Sequence, residues 1–202
     1  MIDFLTSNKK KASDFQSFGF GVKEFSEEVI EVKSPNVLEV ALYKAKDTGL
    51  NNVVVEDTAL YIQGVDFYGT EIKHIYDEIK TNHEYHGYQV SWMVCLCMRK
   101  DDLYYLASGE LTGKLNYPGV TTGYHFENIL AVEKDGHYVP FPSLSNLEQH
   151  DLSPRYKALE KLAKAIKNND YSELIMIDAN SLKNWEGEYQ VETTHKKLAL
   201  SL

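Results

Sequence analysis

Long apolar runs are missing from this sequence. None of its 202 residues lies in a stretch approaching the roughly 18 uninterrupted apolar residues that a membrane-spanning helix needs. The opening residues, Met1-Ile2-Asp3-Phe4-Leu5, also lack the basic-then-apolar layout of a secretory signal peptide. We therefore expect a cytoplasmic protein that has no membrane partner.

Cysteine is scarce, being limited to Cys95 and Cys97. If they lie two residues apart on a strand, their side chains point to the same face. That geometry suits packing in a core better than a local disulfide. We expect two buried thiols.

Basic residues are outnumbered, since 21 Lys and Arg stand against 30 Asp and Glu and the net charge is −9. Nonspecific binding to duplex nucleic acid depends on Lys and Arg that neutralise backbone phosphates, so we expect no nucleic-acid partner. Any phosphate that this protein binds is expected to lie in a small pocket with few basic groups and a metal ion.

The length and the order of apolar segments predict a single α/β domain over residues 1–202, with a tail, 171–202, of uncertain role. We predict strands at 2–5, 53–55, 88–99, 103–115, 129–132 and 138–141, a pairing segment within 21–31, and helices at 9–15, 36–47, 70–80 and from Ser153-Pro154 to about residue 166. Residues 174–177 suit a strand or a helix equally.

The turn Thr6-Ser7-Asn8 separates the first predicted strand from the lysine-rich start of the first helix. Free backbone N–H groups and the positive end of the helix dipole favour an anion there, and Lys11 adds charge. A plain N-cap followed by a solvated lysine face is the alternative.

Acidic residues follow in an order that suits a metal-bound polyphosphate. Glu31 precedes Lys44 on the second helix, and Glu56-Asp57-Thr58 is predicted at the C-terminal end of the strand 53–55. Paired carboxylates hold hard divalent ions, which offset triphosphate charge and lower the pKa of a bound water.

These segments resemble the inosine triphosphate pyrophosphatase family. Thr6-Ser7-Asn8-Lys9-Lys10-Lys11 is similar to its T-[GS]-N-x-x-K opening, and Glu56-Asp57-Thr58-Ala59-Leu60 resembles its E-D-[ST]-G-L block with Ala59 replacing glycine. Glu31 to Lys44 is similar to its acid-to-lysine helix, although the spacing is one residue longer.

The resemblance implies a role for each matching residue. Glu31 and Asp57 would hold Mg²⁺ or Mn²⁺, and Asp57 with Lys11 would be catalytic, Asp57 orienting or deprotonating the attacking water. The residues implied to bind the triphosphate are Thr6, Asn8, Lys11, Lys44 and Thr58.

The second half of the sequence departs from the family pattern. Tyr124, Phe126 and Glu127 stand in the segment that binds the base, but His125 and Asn128 replace glycine and proline. Ser153 and Arg155 match the family's S-H-R. Pro154 replaces the histidine of that motif, and Gln149 replaces an upstream lysine. The resemblance implies that Tyr124, Phe126, Glu127, Ser153 and Arg155 bind the base, whereas these departures predict altered base selection because hydrogen-bonding groups are lost.

The resemblance implies an elongated, mixed, twisted β-sheet with flanking helices and two lobes around a central nucleotide cleft. It also implies a reaction that converts a nucleoside triphosphate and water to the monophosphate and pyrophosphate, on noncanonical purines such as ITP, dITP or XTP, in a homodimer. The alternatives are the same chemistry on another base, or nucleotide binding with little turnover.

A zinc site at His83-Glu84-Tyr85-His86 is disfavoured, because the spacing is not that of H-E-x-x-H on one helix face.

Overall fold

The secondary structure follows the predicted order. The computed structural model describes residues 2–6, 8–23, 31–66, 69–116 and 126–190. The strands are β1 (Asp3–Leu5), β2 (Gly21–Lys23), β3 (Val53–Ile62), β4 (Gln89–Lys100), β5 (Leu103–Leu115), β6 (Leu130–Lys134), β7 (His137–Pro140) and β8 (Ile175–Asp178). The helices are α1 (Lys9–Ser17), α2 (Val37–Thr48), α3 (Ile72–Thr81), α4 (Asn146–Leu152) and α5 (Pro154–Asn168).

All eight strands belong to one mixed sheet, which confirms the predicted α/β class. Its main path runs β2-β1-β3-β4-β5-β6-β7, with β8 also pairing with β5. The pairs of β1 with β2 and with β3 are parallel, while the others are antiparallel. The long β4–β5 hairpin is the centre of the sheet, and β6 and β8 share the other edge of β5 at its two ends.

Strand alternation sends successive β3 side chains to opposite faces of the sheet. On one face, Val54 and Leu60 belong to a core with Phe15 of α1 and Leu159 of α5. On the other face, Val53, Val55 and Ala59 join a core with Val37, Ala41, Leu42 and Ala45 of α2. The free thiols of Cys95 and Cys97 are buried in this second core, as the sequence predicted.

β3 is much longer than the apolar run at 53–55 predicted. It continues to Ile62, so placing Glu56-Asp57-Thr58 at a strand end was wrong. These residues pair with β4 through Leu96, Cys95 and Val94, and that ladder sustains the strand despite the polar side chains. They lie instead beyond the carboxyl end of β1, because β1 pairs with β3 only opposite Val53 and Val54.

Helix boundaries agree with the capping signals of the sequence. The Asn36 side chain accepts the Leu38 N–H at the start of α2, and α5 begins at Pro154 after Ser153, as predicted. The sequence prediction missed α4, although Ser145 and Glu148 form a capping box at its start. The ambiguous segment 174–177 is strand, since residues 175–178 pair with β5. No helix among the described residues is long and apolar enough to cross a membrane.

Gly109 lets α5 approach β5 closely. A Cβ at this position would lie 2.1 Å from the Pro154 carbonyl oxygen and 2.9 Å from the Lys157 Cβ. We expect Gly109→Ala to displace the start of α5 and to lower the unfolding free energy by about 1–3 kcal/mol, because backbone atoms cannot yield as a side chain can. Urea denaturation measures this loss. Ser108→Ala, on the neighbouring residue, is the control, and equal stability of the two variants would contradict the prediction.

Candidate functional site

Lys44 joins two carboxylates on the α2 face of the sheet. Its Nζ lies 2.7 Å from Glu31 Oε1 and 3.1 Å from Asp57 Oδ1, and it also donates to the Glu56 carbonyl at 3.1 Å. The structure thus brings together three residues that the sequence predicted to act on one metal–triphosphate complex. With two carboxylates and one ammonium, this group has an excess of negative charge.

Burial and charge set the protonation of this group. Burial opposes ionisation of Lys44, but the charges of Asp57 and Glu31 outweigh it and raise the Lys44 pKa above its ordinary value. The Asp57 pKa is also raised, because burial and then the Glu31 charge outweigh the Lys44 ammonium. Asp57 Oδ2 is buried and has no hydrogen-bond partner among the described residues. Asp57 therefore offers a desolvated oxygen that a cation or a water proton would satisfy.

Glu56, the neighbour of Asp57, points to the opposite face and forms a second cluster. It accepts from Arg155 Nε at 2.9 Å and Nη2 at 3.2 Å, and it pairs with Lys11 Nζ at 2.9 Å. Burial favours the neutral acid, but the charges of Arg155 and Lys11 outweigh it and lower the Glu56 pKa to about 2. Glu56 thereby links Lys11 of α1 to Arg155 of α5.

Asp14 extends this second cluster toward α5. Its Oδ2 accepts from Arg155 Nη1 at 3.0 Å, and its Oδ1 accepts from the Tyr156 hydroxyl at 3.2 Å. The three nitrogens of the Arg155 guanidinium are therefore bonded to Glu56 and Asp14. With two carboxylates and two cations, this cluster is charge-balanced, unlike the one around Lys44.

The two clusters approach each other beyond the end of β1. The Lys11 ammonium pairs with Glu56 and also acts on Asp57, where its charge lowers the pKa. Because β1 stops at Leu5 while β3 continues, Lys11 of α1 reaches Glu56 of β3 at this point. Lys11 thus contacts the residue that directly precedes Asp57, the other predicted catalytic residue.

The turn between β1 and α1 has the local geometry of an N-cap. The Asn8 N–H donates to Thr6 Oγ1 at 3.0 Å, and Asn8 Oδ1 accepts the Lys11 N–H at 3.3 Å. Ser7 lies outside the described residues. Thr6 and Asn8 therefore order the start of the helix that presents Lys11, and their predicted contact with phosphate stays a prediction.

Thr58 is bonded within the sheet. Its hydroxyl donates to the Met93 carbonyl at 3.1 Å and accepts from Trp92 Nε1 at 3.1 Å. It lies on the Glu56 face of β3 because it is two residues from Glu56. Its predicted contact with the triphosphate would have to replace one of these bonds.

A cavity of about 590 Å³ adjoins the Glu56 cluster. That volume suits a nucleoside, since small-molecule sites range from about 300 to 1,000 Å³. It is lined by Asp14, Trp92, Glu127, Asn128, Phe141, Pro142, Asn146, Gln149, His150, Ser153, Arg155 and Tyr156. Glu127, Ser153 and Arg155, three of the predicted base-binding residues, thus share one cavity. Tyr124 and the Phe126 side chain lie outside what the structure describes.

The two departures from the family pattern also bear on this cavity. Gln149, which lines it, donates from Nε2 to the Leu144 carbonyl at 2.8 Å. Pro154 is the first residue of α5 and is buried. Ser153 is buried too, and its side chain does not cap the helix. Gln149 therefore gives the cavity amide donors where the family motif has a lysine, and Pro154 stands between two lining residues, Ser153 and Arg155, without a donor of its own.

The two carboxylates that contact Lys44, Glu31 and Asp57, are the candidate ligands for a divalent metal ion. The described residues contain no group of three or more His, Cys, Asp or Glu suited to hold a metal alone. Mg²⁺ commonly takes only one or two carboxylates and completes its coordination with substrate phosphates and water. Glu31 and the unpartnered Asp57 oxygen suit such a shared site.

Sequence reasoning gave no role to Asp14 or Tyr156, and it placed Glu56 in an acidic metal-binding segment without predicting its ion pairs with Arg155 and Lys11. Each was adjacent to a named residue or one helical turn from it: Asp14 lies three residues after Lys11 on α1, and Tyr156 follows Arg155. The spacing of Lys11 and Asp14 places them on one helix face, which was the available signal. Their joint contact with α5 depends on tertiary packing.

Comparisons of the sequence and of the structure with known proteins indicate the same family. A model described as the Ham1 family matches residues 2–165. The Ham1 protein of Staphylococcus aureus superposes with a TM-score of 0.62 at 16% identity, covering 83% of this chain and 99% of that one. A HAM1 protein from Coxiella burnetii gives a TM-score of 0.57 at 18% identity, covering 83% of this chain and 100% of that one. No curated protein matches the sequence.

Proposed function

Since the chain belongs to the Ham1 family, the inosine triphosphate pyrophosphatase family that its motifs resemble, we propose that it hydrolyses a nucleoside triphosphate to the monophosphate and pyrophosphate. The observation that carries this proposal is the contact of Lys44 with Glu31 and Asp57, next to the Lys11–Glu56 ion pair on the neighbouring residue of β3. The neighbouring cavity supplies space for the nucleoside.

The triphosphate binds at the start of α1 and between the two lysines. Lys11 has three N–H donors, of which Glu56 takes one, so the others remain for phosphate oxygens. Lys44 neutralises charge from the α2 face, while Thr6 and Asn8 complete the turn. Thr58 lies nearby on β3 and contacts phosphate only if its bonds in the sheet rearrange.

Glu31 and Asp57 hold the divalent ion, Mg²⁺ or Mn²⁺. When bound, the ion offsets the negative charge of the triphosphate and favours attack by water. The excess carboxylate charge around Lys44 and the buried, unpartnered Asp57 Oδ2 support this assignment.

Asp57 orients the attacking water and accepts its proton. Lys44 fixes Asp57 Oδ1, so the proposed contacts of Asp57 with the ion and with the attacking water both fall to Oδ2, which has a lone pair for each. The water oxygen bonds to the α-phosphorus as the bond from that phosphorus to the bridging oxygen breaks, and pyrophosphate leaves with that oxygen. Lys11 and Lys44 stabilise the charge that moves onto pyrophosphate.

The base occupies the cavity beside α5, where Glu127, Ser153 and Arg155 contact it. The family resemblance alone assigns Tyr124 and Phe126 to the base. Arg155 is held by Glu56 and Asp14, so it contacts the base from a fixed position. Gln149 and Pro154 stand where the family has a lysine and a histidine. The favoured substrate is a noncanonical purine triphosphate such as ITP, dITP or XTP. The altered donors favour a second candidate, the same reaction on a different or modified base.

A panel of triphosphates with Mg²⁺ tests the reaction. We expect pyrophosphate and monophosphate in equal amounts from at least one member of a panel that contains ITP, dITP, XTP and the common nucleotides. Pyrophosphate and orthophosphate are quantified separately. Release of orthophosphate alone, or of neither product from any nucleotide at any Mg²⁺ or Mn²⁺ concentration, would contradict the proposal. The rank order of the rates shows whether a noncanonical purine or another base is the preferred substrate.

Nucleotide binding with little turnover is the remaining candidate, favoured by Gln149 in the base cavity and by Pro154 between its lining residues Ser153 and Arg155. Calorimetry distinguishes it, because tight nucleotide binding without pyrophosphate release supports it. A nucleotide that binds the native state must also raise the melting temperature.

The family resemblance further leads us to propose that the protein is a homodimer and lies in the cytoplasm. Light scattering of the purified protein tests whether it is a dimer.

A further inference from the structure

The chain continues past the family match and returns to the metal-binding region. The match ends at residue 165, whereas the described structure extends to residue 190. After α5, β8 pairs with β5, and residues 179–190 then cross the α2 face of the sheet. We name residues 179–190 the C-terminal strap. Ala179 and Leu182 pack against the core that contains α2.

The strap holds α2 through the helix turn that carries Lys44. The Lys183 carbonyl accepts from the Tyr43 hydroxyl at 3.2 Å and from Lys46 Nζ at 2.8 Å. The Tyr43 and Trp185 rings meet edge to face, with centroids 5.0 Å apart. Tyr43 is adjacent to Lys44, so these contacts restrict the position of the Lys44 backbone.

The end of the strap holds the backbone of Glu31. Gln190 donates its backbone N–H to the Glu31 carbonyl at 2.7 Å, and Lys33 donates to the Glu188 carbonyl at 2.8 Å. Val32 and Tyr189 are bridge partners in this antiparallel pairing. The Trp185 Nε1 also donates to the Glu188 carbonyl at 2.8 Å, which closes a local turn in the second half of the strap.

The strap therefore contacts both sides of one ion pair. Glu31 Oε1 lies 2.7 Å from Lys44 Nζ. The strap forms hydrogen bonds with the segment that contains Glu31 and with the helix turn that contains Lys44. Glu31 begins the described segment 31–36 that precedes α2, and this segment belongs to no strand of the main sheet. The strap supplies that missing pairing.

We propose that the C-terminal strap is a positioning element that fixes Glu31 relative to Lys44 and Asp57 for the binding of a divalent cation. The inference rests on the proposed function, in which Glu31 and Asp57 hold that cation. Gln190 and Trp185 are the positioning residues, and neither contacts the substrate. Outer-shell partners that orient a metal ligand commonly change metal affinity by about 10–100-fold when they are altered.

Gln190 offers a matched pair of substitutions. Gln190→Pro removes the N–H that bonds to Glu31, whereas Gln190→Ala keeps it and removes only the side chain. The side chain contributes a long bond to the Val32 carbonyl, 3.4 Å, and its Oε1 is buried without a partner in the described structure. The alanine variant thus controls for loss of the side chain.

The experiment measures Mn²⁺ binding to the full-length protein by the electron paramagnetic resonance signal of free Mn²⁺. We expect wild type and Gln190→Ala to bind with dissociation constants within about twofold, and Gln190→Pro to bind about tenfold more weakly. Circular dichroism checks that each variant is folded. If the proline variant does not fold, Trp185→Ala takes its place, with Trp185→Phe as the conservative variant expected to retain affinity.

Two results separate failure of this inference from failure of the proposed function. A folded Gln190→Pro or Trp185→Ala protein that binds Mn²⁺ as tightly as wild type would overturn the role of the strap alone. Wild type that neither binds Mn²⁺ nor releases pyrophosphate would overturn both. Linkage adds a test on the wild-type chain: saturating Mg²⁺ is expected to slow amide hydrogen exchange at Gln190 and Lys33. Unchanged exchange at both amides would contradict the inference.

Discussion

Asp57→Asn is expected to lower the turnover number for pyrophosphate release by about 10³-fold or more. The amide cannot accept the proton of the attacking water, and it removes the charge of one of the two proposed metal ligands. Asp57 combines buried placement, an unpartnered Oδ2 and contact with Lys44. The best substrate of the nucleotide panel, at saturating Mg²⁺, gives the measurement.

The acid limb of the pH profile gives a second readout of the same residue. In the metal-free protein burial raises the Asp57 pKa, so protons compete with the divalent ion for this carboxylate and activity is expected to fall at acid pH. Asp57→Asn should lack this limb in any residual activity. Asp102→Asn, in the turn between β4 and β5, makes the same chemical change away from the site and is the control. Turnover by Asp57→Asn equal to that of this control would refute the assignment.

Asp57→Asn is expected to keep its stability. A folded-state pKa that is raised means that the native state favours the protonated acid, so this contribution to stability is lost as the pH rises through the folded pKa. At neutral pH the charge of Asp57 therefore opposes folding, and its removal should not lower the unfolding free energy. Lys44 keeps Glu31 and the Glu56 carbonyl as partners in this variant. Loss of activity and loss of stability should thus be separable at this position.

Whereas Asp57→Asn should mainly lower activity, Glu56→Gln, one residue earlier, should mainly lower stability. We expect it to reduce the unfolding free energy by about 3 kcal/mol at neutral pH. Glu56 is buried and receives Arg155 and Lys11, so the amide would leave two cations without their anionic partner. The fall of its pKa from 4.5 to about 2 gives a loss of similar size when each pKa unit is taken as about 1.4 kcal/mol. Urea denaturation at pH 7 measures the difference.

The pH dependence of stability checks the cause of this loss. A depressed folded-state pKa contributes stability that is present above the unfolded value of 4.5 and is lost as the pH falls through about 2. The difference between wild type and Glu56→Gln should therefore shrink over that range. A difference that stays constant down to pH 2 would show that packing, rather than charge, is responsible.

Glu148→Gln is the matched control for Glu56→Gln. Its side-chain bond with Lys134 and then those with Ser145 lower the Glu148 pKa to about 2 as well, but Glu148 lies at the surface. Solvent screens an exposed pair, so its removal should cost much less. Equal destabilisation of the two variants would contradict the view that burial gives the Glu56 cluster its strength.

Glu56 also links the proposed base cavity to the proposed phosphate site. Glu56 holds Arg155 by two bonds, and Arg155 lines the cavity with Asp14 and Tyr156. Lys11 contacts the same carboxylate and also acts on Asp57. One buried side chain thereby connects the proposed base site to the proposed phosphate site.

Sequence alone determined the residue types of the candidate site and most of the secondary structure. The turn at Thr6 to Asn8, the lysines at 11 and 44 and the acids at 31 and 57 follow local patterns, because strands, helix caps and charged motifs depend on neighbouring residues. The family resemblance came from those same segments, and the match over residues 2–165 agrees with it.

Only the tertiary structure decided which of these residues meet. The sequence ended the third strand at Val55 because polar residues follow, whereas pairing with β4 extends it to Ile62 and sends Glu56 and Asp57 to opposite faces. The contacts of Arg155 with Glu56, and of Gln190 with Glu31, join residues far apart in the chain. No local pattern encodes such contacts, because they arise when helices and a strap pack on the same sheet and leave the buried charges no other partners.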